Sequence, residues 1–447
     1  MRLAIDLGRA TCVAVLVDRD GRTVAEAVVD SRPGVAESVR GVLAELGPLA
    51  PAAESVVLVT DLARRSPRPR RVALLRIAPT SHPALAPLAD WPASARAAVD
   101  ALTAQVPGGA TLTGRPPAPL DRDAVAAFAR RAREAEISAF AVCAAGAPAE
   151  PGPELDAAAA LADTVPGAAI SLSHEIGSVG LRERENATVV NAALGGWATE
   201  LAVEATRALR SAGLTAPLYF ARDDGGLISA EYFRRHPVIA TAPATTCAAR
   251  GAAARAGVAD AVVVDAGARS VRCLTLGDGH PERSVRPGQG PLGVPVHLGS
   301  PVIHEVGPGV RDTLPADPNA IARIAARQLE RVAGAVLLHT GGGAGDMGAP
   351  PAAAEVRARL TDAARFAATS VCRIASERLV TAAGRAEFEL MLATACDRAL
   401  SRVVAAGAAP ATARIESVSH APVAYLPAGV HRVTVHAVGQ PAAGVPA

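Results

Sequence analysis

At 447 residues the chain is long for a single hydrophobic core, so two lobes or domains are expected. Half of its residues are hydrophobic but only 2% are aromatic, so Ala, Val and Leu must fill the interior, and a net charge of +2 carries no polyanion-binding signature. The chain has no Lys: all 45 basic residues are Arg, a usage that fits a GC-rich bacterial genome. It excludes a Walker A loop, a pyridoxal-phosphate Schiff base and a protein-kinase phosphate lysine, each of which needs an ammonium group at a set place.

The six cysteines stand far apart, the closest pair being Cys372 and Cys396, which leaves no zinc ribbon or redox pair. Buried small hydrophobes are the expected role. Arg2-Leu3-Ala4-Ile5 is strand-like, no charged n-region precedes an apolar run, and no apolar run reaches the roughly 20 residues of a membrane span. A cytoplasmic protein is expected. Arg64 to Arg71, broken by Pro67 and Pro69, reads as a solvated loop.

In chain order, Leu3–Leu7 and Cys12–Val17 predict a hairpin, with an Asp20-Gly21 turn before Val24–Val29. Val35, Val39, Val42, Leu43 and Leu46 fall at helical spacing. Val56–Val59 and Val72–Ile77 read as strands, Ser94–Ala104 and Ala124–Ala135 as helices, and Ser138–Val142 as a strand. Ala147–Pro153 reads as a surface loop. Ala169–Leu172 predicts a strand, and Asn186–Ser211 a helix interrupted at Gly195-Gly196. Leu218–Ala221 and Ala261–Val264 are further strands, and Pro281–Pro318 reads as a long Gly/Pro-rich loop or lid. After it, Asn319–Val332, Ala352–Ala382 and Ala386–Ala405 read as helices, with a strand at His431–Ala437. This alternation predicts an α/β fold.

The hairpin recurs. Asp6-Leu7-Gly8-Arg9-Ala10-Thr11, a second apolar strand and Asp20-Gly21 match Asp265-Ala266-Gly267-Ala268-Arg269-Ser270, another apolar strand and Asp278-Gly279. A glycine turn between strands can aim N–H groups at an anion, and a strand-terminal Asp can hold a divalent ion or orient a water. Two facing copies would clamp one nucleotide. The pair resembles the actin/hexokinase-type (ribonuclease H-like) ATPase fold, which implies two duplicated lobes, an interlobe cleft and here a helical C-terminal part. The expected division is residues 1–185 and 186–447.

Three further stretches resemble the hydantoinase/oxoprolinase family. They are Ser171-Leu172-Ser173-His174-Glu175 with Arg182–Ala192, then Leu218–Glu231 with Arg234–Val238, and Thr241–Ala244. Asn186 stands where the family has a second Arg. The resemblance implies ATP-dependent hydrolysis of a C–N bond in a cyclic amide, a hydantoin or a 5-oxoproline-type lactam, and a second hydantoinase B-like subunit or a homo-oligomer. Both loops depart from the family's D-x-GGT pattern: each keeps Asp-x-Gly and one hydroxyl but loses its second Gly. A catalytically silent relative, serving as a ligand-binding or partner subunit of an ATP-dependent carboxylase-type complex, is the alternative.

The candidate residues follow. Asp6 and Asp265 are catalytic carboxylates and Mg2+ ligands, or turn-capping residues. His174 with Glu175 is an acid/base pair, or structural. Gly8, Arg9, Thr11, Gly267, Arg269 and Ser270 face the phosphates of ATP, with the two Arg replacing lost N–H donors. Gly341, Gly342 and Gly343 contact the adenosine, or form a linker. Asp223, Asp224, Gly225 and Gly226 line the substrate cleft, or a plain loop. His297, His304 and the arginines Arg357, Arg359, Arg365 and Arg373 read as surface residues.

Overall fold

The computed structural model describes residues 1–60, 68–79, 85–113, 118–267, 270–284, 288–306, 320–343, 353–427 and 429–443. Strands β1 (Arg2–Leu7), β2 (Thr11–Val17) and β3 (Thr23–Asp30) form a meander, followed by helix α1 (Val35–Leu46) and β4 (Ser55–Val59). An inserted unit comprises β5 (Ala73–Ile77), α2 (Ala93–Val99), β6 (Leu102–Val106), α3 (Arg122–Glu134), β7 (Ala139–Ala144), α4 (Gly152–Thr164) and β8 (Ala169–Leu172). A short α5 (Ser173–Ile176) precedes the 31-residue α6 (Leu181–Ser211), then β9 (Leu218–Ala221), β10 (Leu227–Ser229), α7 (Ala230–Arg235) and α8 (Pro243–Ala256). The second hairpin is β11 (Ala261–Ala266) and β12 (Val271–Gly277). Short strands β13 (His280–Pro281), β14 (Gly288–Gln289), β15 (Pro295–Val296) and β16 (Ile303–Val306) follow, then α9 (Ala320–Arg331) and β17 (Val336–Thr340). The chain continues through α10 (Ala353–Thr369), β18 (Cys372–Thr381), α11 (Arg385–Ala405), β19 (Arg414–Pro422) and β20 (Val430–Gly439).

These strands make one large sheet in the order β19-β20-β18-β10-β9-β4-β1-β2-β3 and an inserted parallel sheet in the order β6-β5-β7-β8. A further sheet runs β13-β12-β11-β17, with β16 also on β12. The hairpin repeat is real in register. β1 runs antiparallel to β2 and parallel to β4, with Asp6 opposite Val13 and Val59. β11 runs antiparallel to β12 and parallel to β17, with Asp265 opposite Arg272 and Thr340. The central strands bury both faces, as β4 does at all five residues, because helices cover the sheet on either side, whereas Val336 and Leu337 of β17 stay exposed.

Several expectations change. Gly195-Gly196 does not interrupt α6, which is buried continuously from Arg184 to Gly195 and uses its small residues for close approach. A Cβ on Gly195 would sit 2.9 Å from the Arg70 guanidinium, which donates to the Ala192 carbonyl at 2.9 Å, so Arg70 is not solvated as the loop reading required. Ser94–Ala104 and Ala352–Ala382 each split into a helix and a strand. In the second, Cys372–Thr381 alternates well enough to pair along its length with β20. The C-terminal part is therefore a helix on a three-stranded extension of the large sheet, and α4 begins within the expected 147–153 loop. The division at residues 185 and 186 falls inside α6, and the large sheet draws strands from both sides of it.

The inserted unit is locked to α6 by Arg76 and Glu185, which form two 2.6 Å contacts at 3% and 0% exposure. Glu185→Ala should cost about 3–5 kcal/mol, because the guanidinium is left buried and unpaired, whereas Arg76→Met with Glu185→Leu should recover most of it. Urea unfolding of the three variants checks this; a Glu185→Ala loss under about 1 kcal/mol would contradict it.

Candidate functional site

Parallel pairing sets the site. Because β1, β4 and β9 run the same way, Asp6, Val59 and Ala221 end at one edge, and the strand spacing puts the first and third about 10 Å apart. Loops at such carboxyl ends are where open α/β sheets bind ligands. In the second sheet Asp265 and Thr340 end together in the same manner.

The Gly341–Gly343 turn folds directly over the Asp265 strand end. Gly341 has φ +85°, and a Cβ there would lie 2.7 Å from Asp265 Oδ1 and 2.5 Å from the Ala266 carbonyl; the Gly343 N–H donates to that carbonyl at 2.8 Å. Thr340 donates to Asp362 at 2.9 Å, and Arg255 grips both oxygens of Asp362 at 2.9 Å, which fixes the turn from behind. The Gly267 N–H donates to the Ser270 carbonyl at 3.0 Å. In the first hairpin a Cβ on Gly8 would meet the Thr11 carbonyl at 2.6 Å, so that turn requires glycine. Ser31 donates to the Gly8 carbonyl at 2.7 Å. Arg269 lies outside the described residues.

Asp223 and Asp224 follow β9 and point to different surroundings. Asp223 accepts from the Ala242 N–H at 2.7 Å and the Thr241 hydroxyl at 2.9 Å. Burial outweighs these bonds and pushes its carboxyl up to about 6. It lines a cavity of about 410 Å³ together with Thr241, Arg272 of β12, Ser284 and residues between Gly288 and Ile303. Arg272 is held by Thr245 at 2.8 Å and Glu305 at 3.1 Å. The described part of the Gly/Pro-rich stretch, Gly288 to Ile303, therefore roofs a cavity to which the second hairpin contributes Arg272. Asp224, also buried, faces Arg222, Arg283 and Arg373 at 3.5, 3.4 and 3.8 Å. Burial opposes its ionisation, but the three guanidinium groups outweigh that and hold its carboxyl well below the usual range.

His174 does not pair with Glu175. Its Nδ1 lies 2.7 Å from Glu154, whose carboxylate is wholly buried and also accepts from Ser173 and the Ala144 N–H. Glu175 is instead half exposed, 4.0 Å from His236.

Residues 184–342 match the family Hydantoinase_A, described as hydantoinase/oxoprolinase. The chain carries a hydantoinase/oxoprolinase segment. A search of curated proteins finds no match. Among solved structures, the ATP-dependent caprolactamase from Pseudomonas jessenii has a TM-score of 0.68 at 14% identity, over 100% of this chain and 89% of that one. A nucleotide-free acetone carboxylase has a TM-score of 0.63 at 12% identity, over 98% and 88%. At these identities the likeness is one of fold, and it establishes the actin/hexokinase-like α/β architecture over the whole chain.

Within the hydantoinase/oxoprolinase segment, some residues that carry the family resemblance are architectural. Arg184 donates to Ser173 at 2.8 Å and to the Val179 carbonyl at 2.9 Å, and Glu185 holds Arg76. Asn186 accepts from the Trp91 indole at 2.7 Å and donates to the Pro295 carbonyl at 2.9 Å, tying the cavity roof to α6. Sequence reasoning missed Glu154, Arg272 and the burial of Arg373, which lie far along the chain from their partners. It placed His297 and His304 on the surface, but His297 lines the cavity 3.0 Å from Ser178, and His304 is 3.1 Å from Gln328.

The Asp223 carboxyl, raised from 3.8 to about 6, is protonated in the folded chain and ionised in the unfolded chain between those values, so its contribution to stability falls as pH rises through that window. Asp223→Asn should abolish that component. The stability difference between wild type and variant, measured by denaturant titration from pH 4 upward, should decline towards pH 6; a flat difference would contradict the assignment. Gly341→Ala should lower stability by about 1–3 kcal/mol in the same assay, with an unchanged midpoint as the contrary result.

Proposed function

We propose that this chain is a subunit of an ATP-dependent hydrolase acting on a C–N bond of a cyclic amide, a hydantoin or 5-oxoproline-type lactam, in the cleft between the lobes. The observation that carries this is the cavity of about 410 Å³ shared by Asp223, at the carboxyl edge of the large sheet, and Arg272, on the second hairpin. Its size suits a small ligand. The hydantoinase/oxoprolinase segment supports the reading, as do two solved neighbours of like fold, an ATP-dependent caprolactamase and an acetone carboxylase of ATP-dependent carboxylation.

The residues present fit a nucleotide in the second lobe: bare glycine backbone at 341–343 closes over the Asp265 strand end. In this reading segments 1–185 and 186–447 each lend one turn, Gly8–Thr11 and Gly267–Ser270, with Arg9 and Arg269 adding positive charge. No group of three or more metal-binding side chains occurs among the described residues. Asp6 and Asp265 would be the residues that hold Mg2+, since Mg2+ usually takes only one or two carboxylates from the protein. When bound, ATP supplies the phosphoryl group that activates the lactam oxygen. Asp223, still largely protonated in mild acid, donates a proton toward the amide, while Asp224 stays ionised and, with Gly225 and Gly226, shapes the cleft floor. His174, oriented by Glu154, serves as a second proton carrier, and Glu175 remains its neighbour in sequence only. A bacterial cytoplasmic setting and a hydantoinase B-like partner or homo-oligomer complete the proposal.

One observation favours a second reading, a catalytically silent relative acting as a ligand-binding or partner subunit, including of an ATP-dependent carboxylase-type complex. The Gly267 N–H is spent inside its own turn on the Ser270 carbonyl, so it is not offered to a phosphate. Calorimetric titration with ATP, with and without Mg2+, separates the two. The enzyme reading expects Mg2+-dependent binding weakened about tenfold or more by Asp6→Ala and by Asp265→Ala. No ATP heat in folded protein would overturn it.

A further inference from the structure

Across the Asp223–Gly226 loop from the cavity lies a polar cluster whose arginines and histidines the proposed reaction does not use. Strands β18 to β20 supply Arg373, Glu416 and His436; the loop after β9 supplies Arg222 and Asp224; α8 supplies Arg250; β13 and its flank supply His280 and Arg283. Arg222, Arg283 and Arg373 face the Asp224 carboxylate, Arg373 also meets Glu416, and Arg250 donates to the Asp224 backbone carbonyl; with Asp223 beside Arg222, four guanidinium groups stand against three carboxylates, and against two while Asp223 holds its proton.

The histidines do not relieve this excess. His280 Nδ1 lies 3.3 Å from Arg373 Nη1, and His436 Nε2 lies 3.4 Å from Arg283 Nη1. A guanidinium has only donors, so the ring nitrogen facing it must be the unprotonated one. Arg222 and Arg373 are 12% and 9% exposed, and the buried Nε of each lies 3.5 and 3.8 Å from Asp224, an ion pair that leaves its N–H without a hydrogen bond. Arg222 spends Nη1 on the Arg373 carbonyl, and Arg250 lies over the Phe366 ring at 4.5 Å. Buried donors left unspent beside uncompensated positive charge are costly unless an anion completes them. Arg283, one-third exposed, leaves a way in.

We propose that this junction binds a phosphate-sized oxyanion, with Arg222, Arg283 and Arg373 as its donors. Guanidinium forks match such an anion in shape and charge. The ligand is either inorganic phosphate or the terminal phosphate of a nucleotide. Because the donors come from the large sheet on one side and from the β13 flank of the second sheet on the other, an occupied site would tie the two together. The site stands independently of the cyclic-amide reading.

The test is calorimetric titration of the full chain with inorganic phosphate at constant ionic strength. Saturable binding is expected, weakened about tenfold by Arg283→Gln. Glu416→Gln, which removes a competing carboxylate, should tighten it; a gain of affinity cannot arise from misfolding. Arg207→Gln, at an exposed position of α6 outside the cluster, should change nothing. If prior saturation with ATP abolishes the phosphate heat, the occupant is a nucleotide phosphate; if the heat persists, it is free phosphate. No saturable phosphate binding in wild type, or binding unaltered by both Arg283→Gln and Glu416→Gln, overturns the proposal.

Discussion

Backbone hydrogen bonding between parallel strands is the constraint from which the rest follows. Once β1, β4 and β9 align in one direction, Asp6 and the Arg222–Gly226 loop must emerge at the same edge, whatever their side chains. The same rule applied to β11 and β17 brings the Gly341–Gly343 turn onto Asp265. The Ala- and Val-rich core serves this alignment by burying both faces of the central strands, so register is set by apolar burial.

The Asp223–Gly226 loop shows how one short motif serves two surroundings. Asp223 faces the cavity under a roof of Gly/Pro-rich chain, and Asp224 faces arginines from three elements. Adjacent carboxylates are thereby driven in opposite directions, one towards holding a proton and the other towards losing it. The two glycines are steric necessities. Gly225 has φ +83° with the Phe366 ring 2.8 Å from where a Cβ would sit, and a Cβ on Gly226 would lie 2.6 Å from that of Arg373. The Gly226 N–H in turn donates to Asp224 at 3.0 Å, closing the turn on the carboxylate it positions.

Much of this was legible in the sequence because strand pairs and glycine turns are local. The duplicated Asp-x-Gly hairpins, the 35–46 helix and the strands around residues 56–59, 218–221 and 261–264 all follow from patterns a few residues long. What escaped depended on distant partners. Cys372–Thr381 reads as a continuation of a helix until β20 arrives to pair with it. Arg373 reads as solvated until Asp224 and Glu416 close on it. Glu154, at the start of a Pro-flanked helix, gives no local sign that it will hold His174. The pairing of His174 with Glu175 failed for a geometric reason: adjacent residues at a helix start diverge, and each finds a partner elsewhere.

The two turns remain unequal in detail. The first demands glycine at position 8, whereas at Gly267 a Cβ would stand 3.3 Å from the Ser270 carbonyl, a milder conflict. A crystal structure with a non-hydrolysable ATP analogue and Mg2+ tests the account's central claim, that the two strand ends share one ligand. The account predicts phosphates lodged between the Gly8–Thr11 turn and the strand end at Asp265 and Gly267, with the base toward Gly341–Gly343. Density for the analogue against one lobe alone, or away from both turns, would contradict it.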